Sequence, residues 1–240
     1  MNAGTRLSTG ISGLDDILRG GLAKGYLYLV EGSPGAGKTT LALQFLLEGA
    51  RHGERGLYIS LAESESELRH VADSHRFNLE NVEICKISPP ELATGSSQPY
   101  TVFQPAEVEL ADVVETVLAK VGEINPCRVV IDSMSELRML ARDSLRYRRQ
   151  VLSLKQFFEG RDCTTLLLDE RFRQIQENQV QTIAHGVISL EVLQREYGIT
   201  RRRLEILKVR ASSFREGFHD YIIETGGIRV FPRLVAGDIA

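Results

Sequence analysis

The stretch Leu29-Val30-Glu31-Gly32-Ser33-Pro34-Gly35-Ala36-Gly37-Lys38-Thr39-Thr40 constrains this chain more than any other. An apolar run, Tyr26 to Val30, ends in a glycine loop that opens directly into a helical pattern carrying Leu43, Leu46 and Leu47. Glycines lack a Cβ, so a loop built from them can bend around an anion and aim several backbone N–H groups at it. The first turn of the helix that follows adds a partial positive charge at the same spot. Gly32, Gly37, Lys38 and Thr39 occupy every fixed position of the pattern G-x-x-x-x-G-K-[ST]. Ser33, Pro34, Gly35, Ala36, Gly37, Lys38, Thr39 and Thr40 therefore read as a phosphate cradle for a nucleoside triphosphate. Lys38 is expected to reach the β- and γ-phosphates, and the Thr39 hydroxyl to ligate a Mg²⁺ that bridges them.

The surrounding pattern is that of an α/β chain. Leu14, Ile17 and Leu18 share one face of a short helix ahead of the cradle. Behind it, Gly56 to Leu61 and Val82 to Ile87 read as strands, and Ser64 with Glu67 fits a capping box that opens a helix through Leu68 and Val71. Ser88 to Pro105, with Pro89, Pro90, Pro99 and Pro105, reads as a mobile surface loop. A helix is expected from Glu107 until Pro126, then strands at Arg128 to Asp132 and Thr164 to Leu168. Met134 to Glu159 reads as an arginine-rich loop that becomes a helix, and Arg171 to Gln181 as a loop. Strand patterns at Val187 to Leu193, Arg203 to Val209, Tyr221 to Glu224 and Ile228 to Phe231 close the chain. Early alternation of strand and helix followed by hairpins predicts a mostly parallel sheet extended by antiparallel strands, with the ligand at the C-terminal strand ends. Arg201, Arg202 and Arg203 alternate along a strand and are expected to guard an edge.

Two strand-end carboxylates complete the expected site. Asp132 ends an apolar strand and is positioned to hold the Mg²⁺ directly or through water. Glu63, following the strand after the cradle helix, is the candidate to orient an attacking water, with Lys38 as the other catalytic group.

With these pieces in place, the chain resembles a single-domain member, over residues 1–240, of the KaiC-like branch of the RecA-type P-loop ATPases. The resemblance is carried by Ser8-Thr9-Gly10-Ile11-Ser12-Gly13-Leu14-Asp15, the cradle, Tyr58 to Glu67, Val129 to Ser133, Thr164 to Leu167 and Leu204 to Arg210. It implies a RecA-like fold and a homohexameric ring with ATP between neighbours. In such a ring Lys208 and Arg210 of one subunit reach the γ-phosphate held by the next. It also implies nucleotide contacts for Ser74 and, across the interface, Ser212. Two positions depart from the family pattern. Ala62 stands where a second acidic residue is usual, and Leu168-Asp169-Glu170 stands where Thr-Ser-Glu is common, which removes a hydroxyl.

The expected function is a ring-forming ATPase of low turnover acting as a switch or assembly platform. A scaffold that binds nucleotide with little hydrolysis is the alternative that Ala62 and Leu168 favour. A nucleic-acid motor is a third reading, resting on Arg138, Arg142, Arg171 and Arg173. It is the less favoured because, Phe172 aside, those arginines lack the aromatic interleaving suited to single strands and because a net charge of -3 offers no global attraction to a polyanion. Cys85, Cys127 and Cys163 lack metal-site spacing and read as buried thiols of a reducing compartment. No run approaches the roughly 18 apolar residues of a membrane span, so the cytoplasm is expected, without membrane contact.

Overall fold

The computed structural model describes residues 5–87, 106–171, 179–193, 198 and 200–233. In chain order the elements are β1 (Arg6–Leu7), α1 (Ser12–Ile17), β2 (Leu22–Ala23), β3 (Leu27–Gly32), α2 (Lys38–Arg51), β4 (Gly56–Ser60), α3 (Glu65–Ser74), β5 (Val82–Lys86) and α4 (Ala106–Ile124). They continue with β6 (Arg128–Asp132), α5 (Met134–Ala141), α6 (Ser144–Phe158), β7 (Thr164–Glu170), α7 (Gln179–Ile183), β8 (Gly186–Leu193), β9 (Arg201–Val209), β10 (Phe218–Glu224) and β11 (Gly227–Phe231).

One sheet of nine strands runs in the order β11-β10-β9-β8-β3-β7-β6-β4-β5. The pairs from β8 to β5 are parallel, and β9, β10 and β11 extend the sheet antiparallel. Because side chains alternate across a strand, β3 sends Tyr28 and Val30 to one face and Leu27 and Leu29 to the other. The first face is covered by α2 through Leu41, Phe45 and Leu46. The second is covered by α4, α5, α6 and α7 through residues such as Val117, Leu137, Val151 and Val180. Strands covered on both faces must be apolar throughout, which is why β3 is buried at every position and β6 and β7 at all but the last. The carboxylates Glu31, Asp132, Asp169 and Glu170 interrupt that pattern only at the strand ends, beside the loop that follows β3.

Several sequence expectations are corrected. The segment from Met134 is helical at once: α5 ends where Arg142 takes a left-handed φ of 53°, and Asp143 restarts the helix by accepting the N–H groups of Leu145 and Arg146. Of the arginines read as loop charges in this segment, Arg138, Arg146, Arg148 and Arg149 therefore sit on helices and Arg142 in the break between them. Part of the expected 171–181 loop is helical as α7, and residues 172–178 and the expected loop 88–105 lie outside the described residues. Arg201 to Arg203 guard no edge, because β9 lies inside the sheet between β8 and β10. Each is absorbed by a neighbour: Arg201 pairs with Asp220 at 3.2 Å, Arg203 pairs with Glu191 at 2.8 Å and covers the Phe218 ring, and Arg202 turns toward the cradle. Of the three cysteines, all free thiols, only Cys163 is buried. The capping box of Ser64 and Glu67 forms as expected.

Candidate nucleotide site

The cradle occupies the C-terminal end of β3. Gly37 adopts φ 95° and caps α2 without a side-chain acceptor, so the leading N–H groups of that helix face the loop. A Cβ on Gly37 would lie 2.7 Å from Ile223 Cδ1, and one on Gly32 would lie 2.8 Å from the Leu190 carbonyl oxygen. Gly37 is thus required by its left-handed backbone and Gly32 by the close approach of the Leu190 backbone. Lys38 Nζ folds back to donate to the carbonyl oxygens of Gly32 at 2.9 Å and Ser33 at 3.3 Å. Burial lowers its pKa, against the pull of Glu170, Asp132, Asp169 and Glu63. The loop is braced from the antiparallel strands: the Tyr221 hydroxyl donates to the Ala36 carbonyl at 2.6 Å, and Arg202 Nε to the Gly35 carbonyl at 3.4 Å. Pro34 and Gly35 are exposed at its tip, while Thr40 is buried with its hydroxyl 3.3 Å from His75 Nε2.

Asp132 arrives from β6, on the face of the sheet that α2 covers. Its Oδ2 accepts the Tyr58 hydroxyl at 2.5 Å, and the Thr39 side chain is that phenol's other polar neighbour. Burial pushes the Asp132 carboxyl up, Tyr58 and Lys38 pull it down, and Glu170 pushes it up again. The hydroxyl of Thr39 and the carboxylate of Asp132 form an all-oxygen donor set. No group of three or more His, Cys, Asp or Glu side chains able to hold a metal occurs among the described residues. This small set suits Mg²⁺, which commonly takes one or two protein oxygens and fills the rest of its shell with phosphate and water. A buried carboxylate whose charged form is disfavoured is also one that a cation would stabilise.

Glu63 stands in the turn between β4 and α3, where the Ser60 hydroxyl donates to its carbonyl at 2.7 Å. Its Oε2 is buried and makes no hydrogen bond. Burial raises its pKa first, Asp132 and Glu67 add to this, and Lys38 opposes it. A shielded carboxylate oxygen with a raised pKa, near Asp132 and Lys38, has the character of a general base. Ala62 beside it is exposed and supplies no second acid, and Leu168 is buried in the sheet where a hydroxyl is absent.

Of the remaining predicted residues, Ser74 and Ser212 are engaged by neighbours within the fold, and Lys208 and Arg210 lie at the other end of the sheet. Ser74 Oγ donates to the Val71 carbonyl at 2.7 Å. The residue in contact with the cradle helix is its neighbour His75, which also meets the Glu224 carbonyl at 3.0 Å. Ser212 Oγ accepts from Arg6 at 3.2 Å. Lys208 and Arg210 lie at the end of β9, where Val187 is opposite Lys208 and Gly186 opposite Val209. That is the start of the parallel strands, since Gly186 is level with Tyr28. Their own subunit's Lys38 lies past the far end of β3.

Sequence reasoning missed a buried polar group on the sheet's other face, behind the cradle. Glu31, Asp169 and Ser189 are level on β3, β7 and β8. Asp169 is fully buried and ion-paired with Arg138 of α5, Glu31 accepts from Gln181 at 2.7 Å, and Arg171 pairs with Glu191. The available signal was a carboxylate embedded in each of two otherwise apolar strands.

A family model described as "ATPase: KaiC" matches residues 7–235. UPF0273 protein PH0284 of Pyrococcus horikoshii is 28% identical over 95% of this chain and 94% of its own length. The circadian clock oscillator protein KaiC of Picosynechococcus is 26% identical over 98% of this chain, which spans 46% of that protein. Among solved structures, the KaiC-like protein PH0186 of Pyrococcus horikoshii superposes with a TM-score of 0.78 at 26% identity, over 95% of this chain and 99% of the other.

Proposed function

The chain belongs to the KaiC ATPase family, and from that premise we propose that it is a slow ATPase working as a homohexameric ring in the cytoplasm, with each nucleotide shared between two subunits. We take residues 1–240 as one such domain. The observation that carries the reading is the separation of two cationic sets: Lys38 at one end of the sheet, and Lys208 with Arg210 at the other. Neither Lys208 nor Arg210 has an acidic partner among the described residues, and their side chains donate only to the Thr182 carbonyl oxygen, at 3.5 Å and 2.7 Å. In a ring, that second set meets the phosphate held by the neighbour's cradle.

In the proposed reaction Ser33 to Thr40 bind the phosphates, with Lys38 leaving its loop carbonyls for phosphate oxygen. Thr39 and Asp132 would hold a Mg²⁺, which would supply neutralisation of the phosphate charge. Glu63 orients the attacking water and accepts its proton. Ser74 and Ser212 are peripheral nucleotide contacts, with Ser212 acting across the interface. Turnover is slow because Glu63 acts without an acidic neighbour and Leu168 offers no hydroxyl. Those same two positions support a second reading, a nucleotide-binding scaffold that hardly hydrolyses. A nucleic-acid motor is disfavoured, since Arg138 and Arg171 are spent on Asp169 and Glu191 within the subunit. Among the described residues no helix is long and apolar enough to cross a membrane.

Light scattering of the purified chain with and without ATP and Mg²⁺, paired with a phosphate-release assay, tests the reading. We expect ATP-dependent assembly and release that Lys38→Ala abolishes together with nucleotide binding. Assembly without measurable release selects the scaffold, and unchanged ATP affinity in Lys38→Ala refutes the cradle assignment.

A further inference from the structure

At the start of β3 and β8, opposite the cradle, a cavity of about 160 Å³ is lined by Tyr26, Phe158 and His185 together with Lys155, Glu159 and Arg210. The aromatic wall is built rather than incidental. Tyr26 stacks on His185 with ring centroids 3.9 Å apart, and Tyr28 meets the same imidazole edge-on at 5.6 Å. The backbone locks this wall to the cationic rim. His185 N–H donates to the Leu27 carbonyl at 2.8 Å, and the His185 carbonyl accepts the Arg210 N–H at 2.9 Å.

The charges around the cavity do not balance. Lys155 from α6 joins Lys208 and Arg210: burial lowers the Lys208 pKa first, then Arg210 and Lys155 lower it further. Burial, then Arg210, Lys208 and Lys155, also lower that of His185. The one carboxylate in the lining, Glu159, sits 3.6 Å from Lys155 in an exposed pair one helical turn apart. Such a pair contributes little and is readily exchanged for a better partner. His185 Nε2, by contrast, is buried without a hydrogen-bond partner. Three cations, one weakly held acid and an orphan imidazole nitrogen describe a receptor for an anion.

We propose that this cavity receives the terminal phosphate of a nucleotide held by a second copy of this chain, with Lys155 as a third cation acting beside Lys208 and Arg210 and the stacked Tyr26 and His185 as its wall. The inference rests on the split-site reading above and extends it to α6. Lys155 exchanges Glu159 for phosphate when the neighbour holds a triphosphate, and returns to Glu159 when the terminal phosphate is gone. The cavity therefore reads the difference between ATP and ADP in the adjacent subunit.

The test compares assembly of the full chain, as wild type, Lys155→Ala, Lys155→Arg and Lys208→Ala with Arg210→Ala, in Mg²⁺ with ATP or with ADP. Losing one charge-assisted contact in a water-poor interface should lower the assembly constant in ATP roughly tenfold or more. Assembly in ADP, the thermal midpoint and nucleotide affinity of separated subunits should stay unchanged, and Lys155→Arg should recover most of the loss. If Lys155→Ala assembles as wild type in ATP while the double variant does not, Lys155 has no part in the site and the split-site reading stands. An equal loss in ATP and ADP makes Lys155 a structural surface residue and also overturns the proposal. Should the double variant itself assemble normally in ATP, the split-site reading falls and this inference falls with it.

Discussion

The Tyr58 hydroxyl donates to Oδ2 of Asp132 at 2.5 Å, so that a fully buried phenol on β4 orients the carboxylate at the end of β6. Ser60 is level with Asp132 across the two strands, which places Tyr58 two residues before it on the same face. Tyr58→Phe keeps the ring and removes that bond together with the hydroxyl's contact to Thr39. Hydrogen bonds to charged groups are worth about 1.5–3 kcal/mol, so turnover should fall roughly tenfold and half-saturation by Mg²⁺ should move to higher concentration. A Mg²⁺ titration of phosphate release, with ATP affinity measured alongside, checks this. An unaltered titration would separate Tyr58 from the metal site.

Glu63→Gln keeps the volume of the side chain but cannot accept the proton of an attacking water. Turnover should fall by about 10²–10⁴-fold, the usual contribution of a positioned base, while ATP binding persists. The wild-type pH profile carries the same assignment. Only the ionised carboxylate acts as base, and burial raises the Glu63 pKa. Activity should therefore be lost, as pH falls, above the ordinary carboxylate range. A Glu63→Gln enzyme as fast as its parent would move the base to Glu170 or Glu31.

Much of this arrangement was legible in the residues because local chemistry dictates it. The cradle needs Gly32 and Gly37 wherever it occurs, Ser64 and Glu67 cap a helix by themselves, and apolar runs that end in Asp132 or Glu170 belong to a doubly covered parallel sheet. What escaped depends on pairing between distant strands. The position of Arg201 to Arg203 inside the sheet follows from β10 and β11 folding back beside β9, and periodicity along β9 carries no record of that. The Asp169 and Arg138 pair joins residues far apart in the chain. The helices α5 and α6 that follow from Met134 were masked by arginines such as Arg138 and Arg148, whose partners come from other elements.

Asp169 gives a pH dependence of stability whose sign can be worked out. Burial raises its pKa from 3.8 to about 6, with Arg138 opposing the shift. The folded protein therefore binds this proton more tightly than the unfolded chain. The resulting stabilisation is complete below the unfolded value and is lost as pH rises through about 6. Denaturant midpoints of the wild type should carry a component that declines across that window, and Asp169→Asn, which cannot titrate, should lack it whatever its absolute stability. Parallel pH profiles for the two proteins would show that Asp169 stays ionised in the fold.

The division of cations between the two ends of the sheet makes a prediction that only mixed subunits can test. Lys208→Ala with Arg210→Ala leaves Ser33 to Thr40 intact, so separated subunits should bind ATP as wild type does. Assembly and turnover in ATP should decline together, because the neighbour's phosphate has lost the charge that met it. Lys38→Ala subunits have the converse defect: they keep Lys208 and Arg210 but hold no nucleotide. When the two variants are mixed, interfaces arise in which an intact cradle faces intact cations, and these should recover a fraction of wild-type phosphate release that neither variant shows alone. The recovered fraction should follow the mixing ratio and peak at intermediate compositions, since each productive interface needs one subunit of each kind. Mixed oligomers that form yet stay inactive, under conditions where wild-type rings turn over, would show that Lys208 and Arg210 serve their own subunit instead.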